Sequence, residues 1–356
     1  MRTDHPSFPS REWFSCRVGP WSRVSQWSRV GPWCLAPLAA ACLAAASTAA
    51  DPPGKEDEPA PPPPPQVLTL PTTDGVAIAA WFYGVASDVE PVATVVVVHD
   101  LGGSHETVEP LAKALQEAGC NVVAPDLRGH GKSELDKLAR VAGETGQSAL
   151  LKSGDFAAMT ASGGGRVRDQ SAIRGDLEVV RNWIKQRADQ GALDLDNLYL
   201  VGSGLGATVA ATWAVQDAAW PPIASGPQGG HVKGLVLIDP AFVTKGFSIG
   251  KTLPLEPLRT TLPIMVISGG DDGDGTKVFD QLKRNRPTAW FDSRLYDAEA
   301  RRNTSPAKDS EASLWLIKLG GRLARDKLAA ARSADARQPD PARLILTFIN
   351  VTTGRR

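Results

Sequence analysis

Among its 356 residues the chain has only five histidines and none beyond His231, so any imidazole base must come from before that residue. It also lacks an excess of charge. Lys plus Arg and Asp plus Glu each number 39, which argues against nucleic-acid or anionic-membrane binding through a global field. Cysteine is scarce: Cys16, Cys34 and Cys42 crowd into the first fifty residues, leaving Cys120 alone in the body. With the leader removed, an internal disulfide and a multi-cysteine metal site are both excluded. Cys120 then reads as a small buried hydrophobe opening an apolar strand. The histidines do not cluster at ligand spacing, and neither a metal nor another cofactor is expected.

Long apolar runs are missing too. Trp33 to Ala46 is too short and Ala-rich for a comfortable membrane-spanning helix. Arg11, Arg17, Arg23 and Arg29 precede it and the small residues Ser47, Thr48, Ala49 and Ala50 follow, the three parts of a secretory signal. Cleavage near Ala49 or Ala50 would leave Asp51 close to the new terminus, so export to a periplasm or the medium is expected. Lipid attachment at Cys42 is the weaker alternative, because Ala39 stands where such signals usually carry Leu. Membrane contact is expected only through this leader. A near-repeat, VGPWSRV…WSRVGPW, fills Val18 to Trp33 without visible structural purpose, and a later start at Val30 would remove most of it.

The chain divides into a leader over 1–50, a Pro-rich charged linker over 51–66 and a domain over 67–356. Val67–Leu70 and Val76–Tyr83 form an expected hairpin turned at Thr73-Asp74-Gly75. Apolar strands follow at 93–98, 121–124, 198–201, 232–238 and 264–267, alternating with helices at 108–118, 173–187 and 207–217. Near-continuous apolar strands between helices predict a mostly parallel sheet covered on both faces. The middle helix carries Ile173, Leu177, Val180, Trp183 and Ile184 on one stripe. Residues 133–170, after the fourth strand, turn polar and Gly-rich, as in a small lid or a surface insertion. A helix is expected over Ser313 to Ser333, whereas Leu344 to Val351 has no clear assignment.

One corner has its reactive atom missing. In NLYLVGSGLGATVAATW, Asn197 to Trp213, a short strand enters a Gly-dense turn and leaves as a small-residue helix. The turn matches G-x-S-x-G, in which a serine is lifted clear of the sheet, with Gly202 and Gly206 as the flanking glycines. Gly204 occupies the serine's place, and Ser203 stands one residue early, aimed away from the pocket.

With VVVVHDLGGS (Val95–Ser104), APDLRGHGKS (Ala124–Ser133) and LPIMVISGGDD (Leu262–Asp272), this corner resembles the α/β-hydrolase superfamily of esterases, lipases and serine aminopeptidases, in order and in spacing. The resemblance implies the α/β-hydrolase fold over Val67 to about Asp297. It implies an oxyanion-type site at His99, Leu101, Gly102, Gly204 and Leu205, and an acid at Asp272 with Asp271 and Asp274 nearby. It also implies a histidine base in the loop after the last strand, taken as Tyr296 to Ser305, where none occurs. Acyl transfer needs nucleophile, base and orienting acid together. The chain therefore reads as a degenerate, non-catalytic member that binds a small carbonyl- or carboxylate-bearing ligand or a protein partner.

Two rivals remain. A working serine hydrolase would need an unusual constellation, such as Ser104 with His105, whose adjacent side chains tend to point apart. His231 precedes a strand, at the wrong end of the sheet. GSGLGA, Gly202 to Ala207, also fits the dinucleotide fingerprint, but WPPIASGPQGG (220–230) lacks the acid that should hold the ribose.

Overall fold

The computed structural model describes residues 61–354, except 87–88, 140–145, 163–174, 223, 225–227, 271–272 and 334–339. The leader, most of the linker and Asp272 lie outside the described residues. A hairpin of β1 (Gln66–Pro71) and β2 (Ala77–Tyr83) opens the sheet. Its turn is tied by the Thr72 hydroxyl on Asp74, with Gly75 at φ 85°. The alternating elements that follow are β3 (Thr94–Val98), α1 (His105–Glu117) and β4 (Asn121–Pro125). After a short insertion holding α2 (Asp136–Ala139) and α3 (Ser153–Thr160) come α4 (Asp176–Asp189), β5 (Leu198–Ser203), α5 (Leu205–Ala218) and β6 (Val232–Ile238).

A small hairpin, β7 (Val243–Thr244) with β8 (Phe247–Ser248), precedes β9 (Ile264–Ser268) and α6 (Asp274–Lys283). Beyond them lie β10 (Trp290–Asp292), the ribbon of β11 (Tyr296–Asp297) with β12 (Arg302–Asn303), β13 (Leu314–Lys318), α7 (Arg325–Ala329) and α8 (Pro341–Thr353).

Nine strands form one sheet in the order β1-β2-β4-β3-β5-β6-β9-β13-β10. The pairings β1–β2 and β2–β4 are antiparallel and all others parallel. From β3 the chain steps one way to β4 and then runs the other way to β5, β6, β9 and β13. Right-handed crossovers therefore put α1 on one face and α4, α5 and α6 on the other. α8 packs on α1 and joins its face, while α3 bridges α4 and α5. The direction reverses beside β3, so the carboxyl ends of β3 and β5 flank the crevice where ligands of open α/β sheets bind.

The parallel strands are buried on both sides, as their unbroken Val, Leu and Ile runs require. Trp213, Phe156 and Phe279 fill the layer beneath α5 and α6, and Tyr199 meets Phe348 of α8 edge-on. Arg128 is clamped between Asp74 (2.6 Å) and Asp176 (2.7 Å), tying the first hairpin's turn to the start of α4.

The structure corrects one expectation and assigns one open stretch. Ser313 to Ser333 is no single helix: Leu314–Lys318 is a core strand between β9 and β10, and only Arg325–Ala329 is helical. Leu344 to Val351 falls inside α8, capped by the Asp340 carboxylate on the Arg343 N–H and begun by Pro341. Among the described residues no helix is long and apolar enough to cross a membrane.

Candidate functional site

The corner at Gly204 has the geometry of a nucleophile elbow. Gly204 sits between β5 and α5 at φ 52°, ψ −112°, a backbone conformation strained for any residue with a side chain. Its N–H donates to the Ile238 carbonyl (3.0 Å), and its own carbonyl accepts from Ala241 (3.2 Å), pinning the turn against the end of β6. The flanking glycines are required by contact. A Cβ on Gly202 would run into the Gly206 carbonyl, and one on Gly206 into the carbonyls of Val98 and His99. Strand and helix thus cross at the closest approach a backbone permits.

The nucleophile's place is filled from elsewhere. A Cβ on Gly204 would fall inside the carboxyl group of Asp100, which reaches over from the end of β3. Asp100 Oδ1 accepts the Leu205 N–H at 2.7 Å, and Oδ2 pairs with Arg325 Nη1 at 2.9 Å. The Leu205 amide is the donor that the motif aims at a substrate oxyanion, and here an internal carboxylate takes it.

A second layer fixes Asp100. Its N–H donates to Asp326 Oδ1 (2.9 Å), while Asp326 Oδ2 accepts from the Thr107 hydroxyl of α1 (2.7 Å). Arg325 adopts φ 53° and donates its N–H to Asp239 Oδ2 (2.9 Å); Asp239, at φ 39°, accepts the Gly269 N–H through Oδ1 (2.8 Å). Burial pushes the Asp326 carboxyl above its usual range, and the neighbouring Asp100 charge adds to this. Ser203 is buried, its Oγ near the Asp326 carboxyl but outside good hydrogen-bond geometry.

The histidines at this edge serve the loops. His99 Nε2 accepts the Leu127 N–H (3.0 Å), so the ring is neutral and Nδ1–H donates to the Asp100 carbonyl (2.7 Å). Complete burial holds its pKa below the ordinary histidine value. His130 donates Nδ1–H to the Arg128 carbonyl, and burial drops its pKa to about 4. His105 stacks on Trp81 with ring centroids 3.2 Å apart and turns Nδ1 to Asp126, while Ser104 caps α1 through the Glu106 N–H. Ser104 and His105 thus turn to different partners. His231 lies at the amino end of β6, its backbone N–H on Asp217.

Of the expected site residues, His99, Leu101, Gly102, Gly204 and Leu205 all lie on the two loops that meet at the elbow. His99 faces inward, and Gly102 (φ 79°) is exposed beside Ser148. The base position moves. Tyr296–Ser305 forms the β11–β12 ribbon, an excursion between β10 and β13. The loop after the last strand is 319–324, which contains no histidine and delivers Arg325 and Asp326 to the elbow. Asp100, Asp239, Arg325 and Asp326 escape a motif search because no pattern links them. One signal was present: aspartate follows His99 where the resemblance carries a His-Gly loop, a second departure matching the one at 204. Among the described residues no cluster of His, Cys, Asp and Glu could hold a metal ion.

Comparison with known proteins agrees with this architecture. A family model described as serine aminopeptidase, S33, matches residues 89–257, just under half of the chain. No curated protein matches. Similar solved structures include a putative dienelactone hydrolase of Klebsiella pneumoniae (13% identity, 82% of this chain and 99% of that one, TM-score 0.48). An esterase of Pyrobaculum calidifontis is similar at 15% identity, with 82% and 87% covered and a TM-score of 0.47. A thermostable carboxylesterase cloned from a metagenomic library stands at 15%, with 83% and 90% covered and a TM-score of 0.47. Likenesses at this level add no weight of their own beside the strand order and the family match. On strand order, elbow geometry and that match together, the chain has the α/β-hydrolase fold and resembles the serine aminopeptidase family over residues 89–257.

Proposed function

We propose that this chain is a non-catalytic member of the α/β-hydrolase fold. One observation carries the reading: the Asp100 carboxylate is seated where the nucleophile's side chain belongs and holds the Leu205 N–H. A carbonyl substrate would meet a negative charge at the point where its own oxyanion must develop, which reverses the electrostatics that acyl transfer requires. No serine stands at the nucleophile position, 204, and no histidine in the loop after β13. Losing triad members in a serine protease leaves only about 10³–10⁴ over water, from oxyanion contacts and binding, and here the oxyanion contact is spent as well.

The nucleotide reading weakens on the same geometry. The glycines of GSGLGA are required by the strand–helix crossing, and a carboxylate already sits at the helix N-terminus, where a pyrophosphate would be repelled. The leader supports a further proposal, that the protein is exported. Recovery of the uncleaved leader on cytosolic chain would sink it, and a mature terminus near Asp51 would support it.

The test of inactivity uses the full chain with p-nitrophenyl esters and a fluorophosphonate probe. The expected result is no turnover above background and no covalent adduct. Labelling of Ser104 or Ser203 would overturn the reading. Gly204→Ser alone should stay inactive, since its side chain competes with Asp100 and no base activates it.

A further inference from the structure

We infer that the elbow is a carboxylate-binding site which this chain fills with its own Asp100, and which accepts a small external monocarboxylate once residue 100 no longer supplies one. The inference rests on the non-catalytic reading, because an elbow carrying a working serine has no room for the group.

The site is built from two donors on separate elements and from a space between them. The Leu205 N–H heads α5, a 14-residue helix whose dipole favours an anion at that end. Arg325, delivered by the loop after β13, supplies a guanidinium 2.9 Å from the second carboxyl oxygen. Gly204 supplies the space by having no side chain. The occupant shows what chemistry fits: one carboxylate bridges backbone amide and guanidinium with a separate oxygen on each, nearly out of contact with water.

The surroundings set the selectivity. Asp239 and Asp326 stand directly behind the donors, one on the Arg325 N–H and the other on the Asp100 N–H. A single negative charge is offset by Arg325, whereas a second would face these carboxyls without compensation. The site therefore takes monoanionic carboxylates over sulfate or phosphate. Shape adds a finer rule. Asp100→Ala keeps the Cβ and vacates only a carboxylate, a space matching formate. Asp100→Gly also vacates the methylene, a space matching acetate. In the intact chain a free carboxylate must displace Asp100 and gains nothing.

The experiment measures thermal midpoints of the full chain and its variants in formate, acetate, chloride and sulfate at constant ionic strength, with ligand-observed NMR for affinity. Wild type should respond alike to formate and chloride. Asp100→Ala should melt lower than wild type and regain about 5 °C in formate at large excess over its Kd, with acetate the poorer. Asp100→Gly should reverse that order. Sulfate should do no better than chloride, and Asp100→Ala with Gly204→Ser should lose the response because the serine side chain fills the space. Should Asp100→Ala fold poorly, refolding yield in formate against chloride gives the same reading. Equal effects of formate and chloride on Asp100→Ala, or an equal formate response in wild type, would overturn the inference. Failure of the non-catalytic reading would instead appear as fluorophosphonate labelling of wild type, a separate measurement.

Discussion

Arg286 shows how much one side chain organises at a distance from the elbow. It is buried, and among the described residues no carboxylate pairs with it directly. Its guanidinium donates to the carbonyls of Leu258 (2.7 Å), Leu262 (2.8 Å) and Ser313 (2.8 Å), fastening the turn before β9 to the start of β13. Burial lowers its pKa to about 10, so it stays charged at neutral pH. Arg286→Ala strands those acceptors and should cost about 3 kcal/mol in urea unfolding.

The buried histidines set the acid limit. His99, His130 and His231 all have pKa values pushed down by burial, His130 to about 4. The folded chain refuses protons that the unfolded chain accepts below about pH 6.5. The contribution is therefore intact above that pH and is lost as pH falls toward 4, at up to about 1.4 kcal/mol per pH unit for each histidine. Raised carboxyls at Asp217 and Asp326 act in the opposite sense, because their folded forms hold protons more tightly. His130→Asn keeps a donor for the Arg128 carbonyl and removes one titration. Its unfolding free energy should fall less steeply between pH 6.5 and 5, and an unchanged slope would contradict the assignment.

The strand–elbow–helix unit is where local sequence and tertiary contact agree. Gly206→Ala drives a Cβ into the Val98 and His99 carbonyls, so about 3 kcal/mol or more should be lost, measurable by chemical denaturation. Gly204→Ala adds a strained φ and a clash with Asp100. In an Asp100→Gly background only the strain remains, so a double-mutant cycle should show the two substitutions favourably coupled by about 1–2 kcal/mol. Additive effects would mean that the two positions do not share one space. At this scale the sequence was largely legible, since Thr94–Val98, Asn121–Pro125 and Ile264–Ser268 are short, mostly β-branched apolar runs that alternate with helical stretches, as buried parallel strands do. β13 was not. Leu314–Ile317 is apolar on both sides, and a four-residue buried run followed by Arg-, Lys- and Ala-rich sequence carries no period that separates strand from helix.

Across the whole molecule, the glycine at the elbow could be read from position 204 alone, and the lack of a histidine in the late loops from composition. What filled the vacancy could not. Asp100 meets Gly204 and Leu205 only because β3 and β5 are sheet neighbours, and it meets Arg325 and Asp326 only because the chain after β13 runs back across β9 and β6 to place α7 against β5 and α1. Each is an ordinary charged residue by composition, and pairing over such separations leaves no local trace. The misplaced base loop has the same origin: the β10 to β12 excursion delays the last core strand beyond the point where spacing would put it.

The distance along the chain between these partners bears on how the protein comes into being. Ribosomes release about 5–20 residues per second, so Leu205 emerges roughly ten seconds after Asp100, and Arg325 and Asp326 about as long again after Leu205. Through that second interval the nascent polypeptide holds the plug and its amide partner but not the clasp. A message truncated ahead of codon 325 would yield a chain with an unsecured Asp100, whereas the completed product carries stopper and clasp in one chain.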